Sequence, residues 1–309
     1  VIVIGGLTPA WQHILLFDQF QCGTVNRAAE TVWCASGKVL NAALAAYHLG
    51  APVRVLAAVG GWTRRQVEAD LEPFELDYRW VVTESPTRVC VTVINRAEGE
   101  VTELVEEAAP LRSAELEQFL QAWREESSKA SVSLLIGSLP RGTPPDFYRR
   151  LVESAAGLVL LDFAGPPLLE CLALNPFLVK PNCQELAGTL GRNLESPQAL
   201  RMAIEEIRCR GAQWVLVTRG EAPAWLAGPE GWFSIQPPAP VRKVNPIGSG
   251  DALAGAIAVA LARGKGMLEA VRLGMAAAVD NLEQLLPCRL RPERVYELAA
   301  QISIDPLDV

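Results

Sequence analysis

The chain has 309 residues, half of them hydrophobic and a fifth charged, which suits one large core or a core with a small appendage. A net charge of −7, a pI near 5.1 and the lack of any lysine or arginine run argue against nucleic-acid binding by phosphate neutralisation. No unbroken apolar run of about 18 residues appears, which argues against a membrane span.

The chain opens with VIVIGGLTPA, which lacks the charged region and cleavage site of a secretory signal and reads as a first buried strand. HILLFDQF (13–20), VNRAAETVWC (25–34) and RVCVTVINRAEGEVTELVE (88–106) alternate as strands do when their two faces differ. One helix, GKVLNAALAAYHLG (37–50), interrupts them, with His48 near its end in a favourable position for the helix dipole. From about residue 130 the pattern changes. SVSLLIG (131–137), GLVLLDF (157–163), PFLVK (176–180) and WVLVTRG (214–220) are short, unbroken apolar runs, as in strands covered on both faces. Between them lie helical segments at 144–156, 182–191 and 196–211, the last with Ser196 as cap, Pro197 in the first turn and Gly211 as stop. Residues 228–243 read as a short strand followed by a Pro-rich connection. Strand–helix repetition of this kind builds a parallel sheet with helices on both sides, with ligands beyond the carboxyl ends of the strands. The expected organisation is an α/β core of residues 1–10, 35–82 and 108–309, with a small β lid of 11–34 and 83–107.

The seven cysteines, at 22, 34, 90, 171, 183, 209 and 288, are odd in number and form no CxxC pair, as in a reduced, cytoplasmic chain. The only histidines, His13 and His48, share no ligand spacing, which argues against zinc.

The segment VNPIGSGDALAGAIAVALARG (244–264) is the most informative. Gly248, Ser249 and Gly250 permit a tight turn before a long helix of small residues, whose first N–H groups and dipole form an anion hole. A carboxylate there repels phosphate unless it accepts a proton from an attacking hydroxyl, so Asp251 reads either as a general base or as a helix-capping residue. Neither GxxxxGK[ST] nor GxGxxG is present, which disfavours P-loop and dinucleotide enzymes.

NPIGSGDA (245–252) resembles the C-terminal signature of the ribokinase-like (PfkB) carbohydrate kinases. LVKPNCQEL (178–186) is similar to the family's KPNxxEL segment, IGSLPRG (136–142) to its SGSLPxG loop, and VNR…SGKVLNAA (25–43) to its VNR…GGKGxNxA motif. These anchors keep the family's order and are most similar to its phosphosugar branch, the 1-phosphofructokinases and tagatose-6-phosphate kinases.

The resemblance implies a Rossmann-like three-layer α/β/α core with a β lid, ATP and Mg²⁺ as cofactors, and a small sugar or sugar phosphate as acceptor. It implies Asp251 as catalytic base beside Gly248, Ser249 and Gly250, with Asn182, Thr218 and Gly220 at the nucleotide and Glu185 acting on the metal through water. Read without the family, Asn182 and Glu185 are a helix cap. Family lids often pair between subunits, which implies a homodimer through the lid. Lys38 stands at a helix start, where a cation is misplaced unless an anion shares the site. With Arg27, Arg88 and Arg141 it forms a candidate phosphate clamp, and Gly37 and Asn41 complete the acceptor motif.

Four positions depart from the family pattern. Gln12 replaces a hydroxyl-binding aspartate, Ser36 and Val39 replace glycines whose absence narrows the backbone approach, and Cys90 replaces a frequent asparagine. A second glycine expected near Pro223 is also missing, which reshapes the adenine-side loop. The leading reading is in-line phosphorylation of a phosphorylated ketohexose. The alternatives are a kinase for a free sugar or nucleoside, a non-catalytic sugar-phosphate or nucleotide sensor prompted by Gln12 and Val39, and a structural module that keeps only the fold.

Overall fold

A computed structural model describes residues 1–307. In chain order the strands are β1 (Ile2–Gly6), β2 (Ala10–Phe17), β3 (Glu30–Ser36), β4 (Val53–Gly60), β5 (Asp77–Thr83), β6 (Arg88–Asn95), β7 (Glu100–Val105), β8 (Val132–Ile136), β9 (Leu158–Asp162), β10 (Leu178–Val179), β11 (Trp214–Arg219), β12 (Ala222–Gly228), β13 (Gly231–Gln236) and β14 (Ser303–Pro306). The helices are α1 (Lys38–His48), α2 (Gly61–Leu71), α3 (Ser113–Ser127), α4 (Phe147–Ser154), α5 (Pro166–Leu172), α6 (Cys183–Leu190), α7 (Pro197–Cys209), α8 (Ser249–Ala262), α9 (Met267–Leu282) and α10 (Pro292–Ala299).

The large sheet has ten strands in the order β14-β13-β12-β11-β10-β9-β8-β1-β4-β5. From β11 to β5 all neighbours are parallel, and β12, β13 and β14 extend one edge antiparallel. Apolar layers cover both faces. One is rich in α1, α8 and α9 residues such as Leu40, Ile257 and Ala276, and the other in Phe119, Trp123 and Phe147. This two-sided burial is why the strands read as unbroken apolar runs. The strand order reverses at β1: the chain goes from β1 to β4 and β5 on one side and resumes at β8 on the other. Such a switch point opens a crevice at the carboxyl edge.

The second sheet has the order β3-β2-β6-β7, with β2 and β6 parallel. Its strand β3 begins at Glu30, five residues later than the alternation from Val25 suggests. Asn26 is the reason: its side chain accepts from Gln21 N–H (2.9 Å) and donates to the Gln21 carbonyl (2.8 Å), folding 21–26 into a turn. The strands β4, β5, β12 and β14 were not anticipated; β4 and β5, with α2, lie between β3 and β6, where one helix alone was expected. β12 and β13 form a hairpin across Gly228-Pro229-Glu230-Gly231, a turn signal visible in the sequence.

Among the described residues, no helix is long and apolar enough to cross a membrane. All seven cysteines are free thiols.

Candidate active site

One cavity of about 1110 Å³ lies between the carboxyl edge of the large sheet and the inner face of the lid. Three helices start on it. Helix α1 begins after Gly37 (φ 85°) and α8 after Gly248 (φ 86°), both in backbone that favours glycine, while α6 begins after Asn182. Helices α1 and α8 approach closely at Gly255, which has no side chain: an added Cβ there would overlap the Ala42 carbonyl oxygen. Their first turns are thereby brought together.

Asp251 lies in the first turn of α8, 7% exposed, and its Oδ2 accepts a 2.8 Å bond from Asn41 Nδ2 of α1. Burial pushes its carboxyl up from 3.8 to about 6; Asp162 adds to the rise, and Lys38 and Asn41 oppose it. The Ser249 N–H is bonded to the Pro246 carbonyl. Helix geometry therefore leaves the N–H groups of Gly250 and Asp251 as the donors of the turn.

Beside Asp251 lies a charge cluster. Lys38 Nζ donates to Glu185 Oε1 at 2.9 Å and lies 3.5 Å from Asp162 Oδ1, and Lys180 Nζ lies 3.0 Å from Asp162 Oδ2. Burial favours neutral Lys38, but Asp162, Glu185 and Asp251 outweigh it and hold the ammonium above its ordinary range. The anion that Lys38 requires at its helix start is thus supplied by the protein's own carboxylates. Glu185 and Asn182 form a reciprocal cap: Asn182 N–H donates to Glu185 Oε2 and Glu185 N–H to Asn182 Oδ1 (2.9 and 2.8 Å). Burial alone would raise Glu185, but Lys38 and the Asn182 N–H hold its carboxyl below the ordinary value.

The lid contributes the opposite wall. Register places Cys34, Gln12, Cys90 and Val105 in one row across the sheet, and Gln12, Cys90 and Val105 line the cavity. Gln12 Nε2 donates to Thr92 Oγ1 at 2.7 Å. Arg88 also lines the cavity; its terminal nitrogens donate to the carbonyls of Glu106 and Thr8 (both 3.2 Å), and its buried Nε has no partner. Glu103 stands in the same wall, its carboxyl raised by burial against the pull of Arg88.

Thus Gln12, Gly37, Lys38, Asn41, Arg88, Asn182, Glu185, Thr218, Gly220, Gly248, Ser249, Gly250 and Asp251 share one cavity. Arg27 and Arg141 are exposed and do not line it. Ser36 lines it and donates to Asn41 Oδ1 (3.1 Å). Val39 does not line it: the side chain is 1% exposed and packs in the core, its Cβ 2.9 Å from where a Cβ on Gly6 would stand, so it does not narrow the backbone approach. Sequence reasoning missed Asp162 and Lys180. Asp162 ends β9 and Lys180 follows β10 at the crevice edge; the signals were a carboxylate near the end of the run GLVLLDF, and for Lys180 the end of PFLVK and the lysine of the KPN segment. At the Thr218–Gly220 end of the cavity Gly220 (φ 64°) turns β11 into β12, and Arg219 Nη1 donates to the Pro223 carbonyl (3.3 Å) where a second glycine was expected.

A switch-point crevice, a lid and a buried carboxylate at a helix N-terminus define a phosphotransferase-like α/β enzyme. The pfkB family carbohydrate kinase model matches residues 5–288, and the chain belongs to that family. It is 27% identical over 304 residues to the tagatose-6-phosphate kinase of Staphylococcus epidermidis, covering 96% of this chain and 97% of that one. Among solved structures it is similar to Escherichia coli phosphofructokinase-2 in complex with fructose-6-phosphate, at 27% identity and TM-score 0.85 over 97% of both chains. A Thermotoga maritima protein described as a possible 1-phosphofructokinase shares the fold, with TM-score 0.87 and 19% identity over 100% of both chains.

Proposed function

We propose that the protein transfers the γ-phosphoryl group of ATP in line to a hydroxyl of a small sugar that already carries a phosphate, of the fructose 1-phosphate or tagatose 6-phosphate type. The observation that carries this reading is Asp251, buried at the start of α8, hydrogen-bonded to Asn41 and adjacent to the free amides of Gly250 and Asp251. Asp251 takes the proton of the acceptor hydroxyl, and the amides meet the charge of the phosphoryl group as it transfers. Lys38 and Lys180 bring positive charge to the same edge.

Two ammonium groups facing three carboxylates leave the inner site short of positive charge for a triphosphate. Magnesium, when bound with the nucleotide, supplies that charge. No cluster of three metal-ligating side chains occurs among the described residues, and both Glu185 oxygens are already paired. That donor set fits a metal carried on phosphate oxygens and water, with Glu185 acting through water.

The branch relatives that act on phosphorylated sugars support the choice of acceptor, as does the unpartnered Nε of Arg88 in the cavity wall. A second reading, a kinase for a free sugar or nucleoside, is favoured by one observation: Arg88 already serves two backbone carbonyls and has Glu103 beside it. ADP release with Mg-ATP across phosphorylated and free acceptors separates the two. The phosphosugar reading expects turnover confined to phosphorylated acceptors, with Arg88→Ala raising acceptor KM by about 10- to 100-fold, as loss of a charge-assisted pair does. Turnover of free acceptors alone, with KM untouched by Arg88→Ala, leaves the second reading standing.

The lid's outer face supports a homodimer. The row Trp33, His13, Val91 and Leu104 lies opposite the cavity-lining row; Trp33 stacks on His13 (centroids 3.8 Å), and Leu104 is 57% exposed. Sedimentation is expected to show a dimer that Leu104→Arg converts to monomer; an unchanged mass for the variant places the interface elsewhere.

A further inference from the structure

Behind the Gly248 turn, on the side away from the cavity, stands a side chain that the reaction as described does not use. Asn281 belongs to α9 and is 1% exposed. Its Nδ2 donates to the Ile247 carbonyl and to Ser249 Oγ, both at 2.9 Å, and its Oδ1 accepts from the Cys288 N–H at 2.7 Å. The amide can face only one way, since a carbonyl needs a donor and an N–H needs an acceptor. Asn281 therefore grips the residues on either side of Gly248 and, at the same time, the loop beneath them.

That loop is the floor of the turn. Cys288, held at φ 58° in a conformation unusual for a side-chain-bearing residue, donates its thiol to the Gly248 carbonyl at 3.3 Å. A Cβ on Gly248 would stand 3.0 Å from Pro287 and 3.3 Å from Cys288 Sγ, so turn and floor are in contact. Asn245 adds a further tie, from Nδ2 to the Leu285 carbonyl at 2.9 Å. Of these groups, Asn281 alone binds both sides of the turn and the floor together.

We propose that Asn281 is a positioning residue that fixes the aim of the Gly250 and Asp251 amides at the transferring phosphoryl group. The inference rests on the reading of the Gly248–Gly250 turn as the anion hole. Donors of this kind act by being oriented before the charge develops, so a turn released by a few tenths of an ångström loses transition-state binding more than ground-state binding. A merely structural Asn281 would affect stability and leave the folded enzyme's turnover alone.

The test uses Asn281→Ala and the nearly isosteric Asn281→Asp, which cannot donate to the Ile247 carbonyl. Per folded molecule, kcat is expected to fall about 10- to 100-fold, less than the ~10²–10³ that follows loss of an oxyanion donor itself. KM for ATP and acceptor should stay within about threefold, following the rule that loss of a transition-state interaction lowers kcat alone. Affinity for ADP with magnesium and aluminium fluoride should fall with kcat, while affinity for ADP alone holds. The proposal is overturned if both variants, folded by thermal melt, keep kcat within about twofold of the parent, or lose ADP and ADP–aluminium fluoride affinity equally. Asp251→Asn separates the two levels. If it abolishes turnover and the Asn281 variants do not, only this inference fails; if it too leaves kcat unchanged, the reading of this turn as the site of phosphoryl transfer fails with it.

Discussion

Asp251→Asn is expected to abolish turnover and, above pH 7, to make the protein more stable. Removing a positioned general base costs about 10²–10⁴-fold in rate. The stability effect follows from the same carboxyl, which burial raises from 3.8 to about 6. Between those values the folded state holds a proton that the unfolded state has lost, so stability falls as pH rises through the window. The ionised, catalytically competent form thus costs the fold on the order of 3 kcal/mol, a cost absent below the unfolded value. Asparagine keeps the shape and can still accept from Asn41, without the buried charge. Urea unfolding at pH 8 and pH 4 checks this: the variant should lead at the higher pH and lose its lead at the lower one. In the parent enzyme kcat/KM should rise with pH and level off above about 6. A flat profile across that range, or a variant less stable at pH 8, would contradict the assignment.

Asp162→Ala is expected to cost about 3–5 kcal/mol of stability, the range for breaking a buried ion pair from one side. Asp162 is 1% exposed, and Lys180, 5% exposed at its side chain, has it as its only ion-pair partner among the described residues. Lys38 keeps Glu185, so the strain falls mainly on Lys180. Adding Lys180→Met to Asp162→Ala should recover much of the loss, because the second change removes the stranded charge. The double variant should nonetheless turn over slowly, since it lacks one of the two ammonium groups that, in the proposed reaction, offset the charge of the phosphates. A loss below about 1 kcal/mol, or no recovery in the double variant, means that water or rearrangement already solvates the ammonium.

The parts of this molecule legible in its sequence are those specified locally. Strands buried on both faces announce themselves as unbroken apolar runs, and Ser196 caps α7 by bonding the Ala199 N–H at 3.1 Å. Asp251 was readable because its turn, its helix and its carboxylate are consecutive. Asn281 was not, since its partners lie more than thirty positions before it or seven after, and nothing local marks it. Val39 and Arg27 show the converse. Both sit inside readable motifs, but a motif does not say which way a side chain points: Val39 faces the core and Arg27 the solvent. Asp162 was visible only as a carboxylate near the end of an apolar run, and its meaning came from the strand order that puts it beside Lys38 and Lys180.

The parallel pairing of β2 with β6 bears on how this enzyme can change over evolutionary time. The pair joins Ala10 to Arg88, and between them the chain leaves the small sheet to build α1, β4, α2 and β5. It passes between the two sheets at four places, before β2, after β3, before β6 and after β7. A lid stitched in this way is not a cassette: no single insertion or recombination event can transplant it from a relative with its register intact. New acceptor preference on such a scaffold is therefore reached by replacing side chains where they stand, and Gln12 and Cys90, neighbours in one row of the sheet that faces the cavity, are positions where such a change acts without disturbing the register.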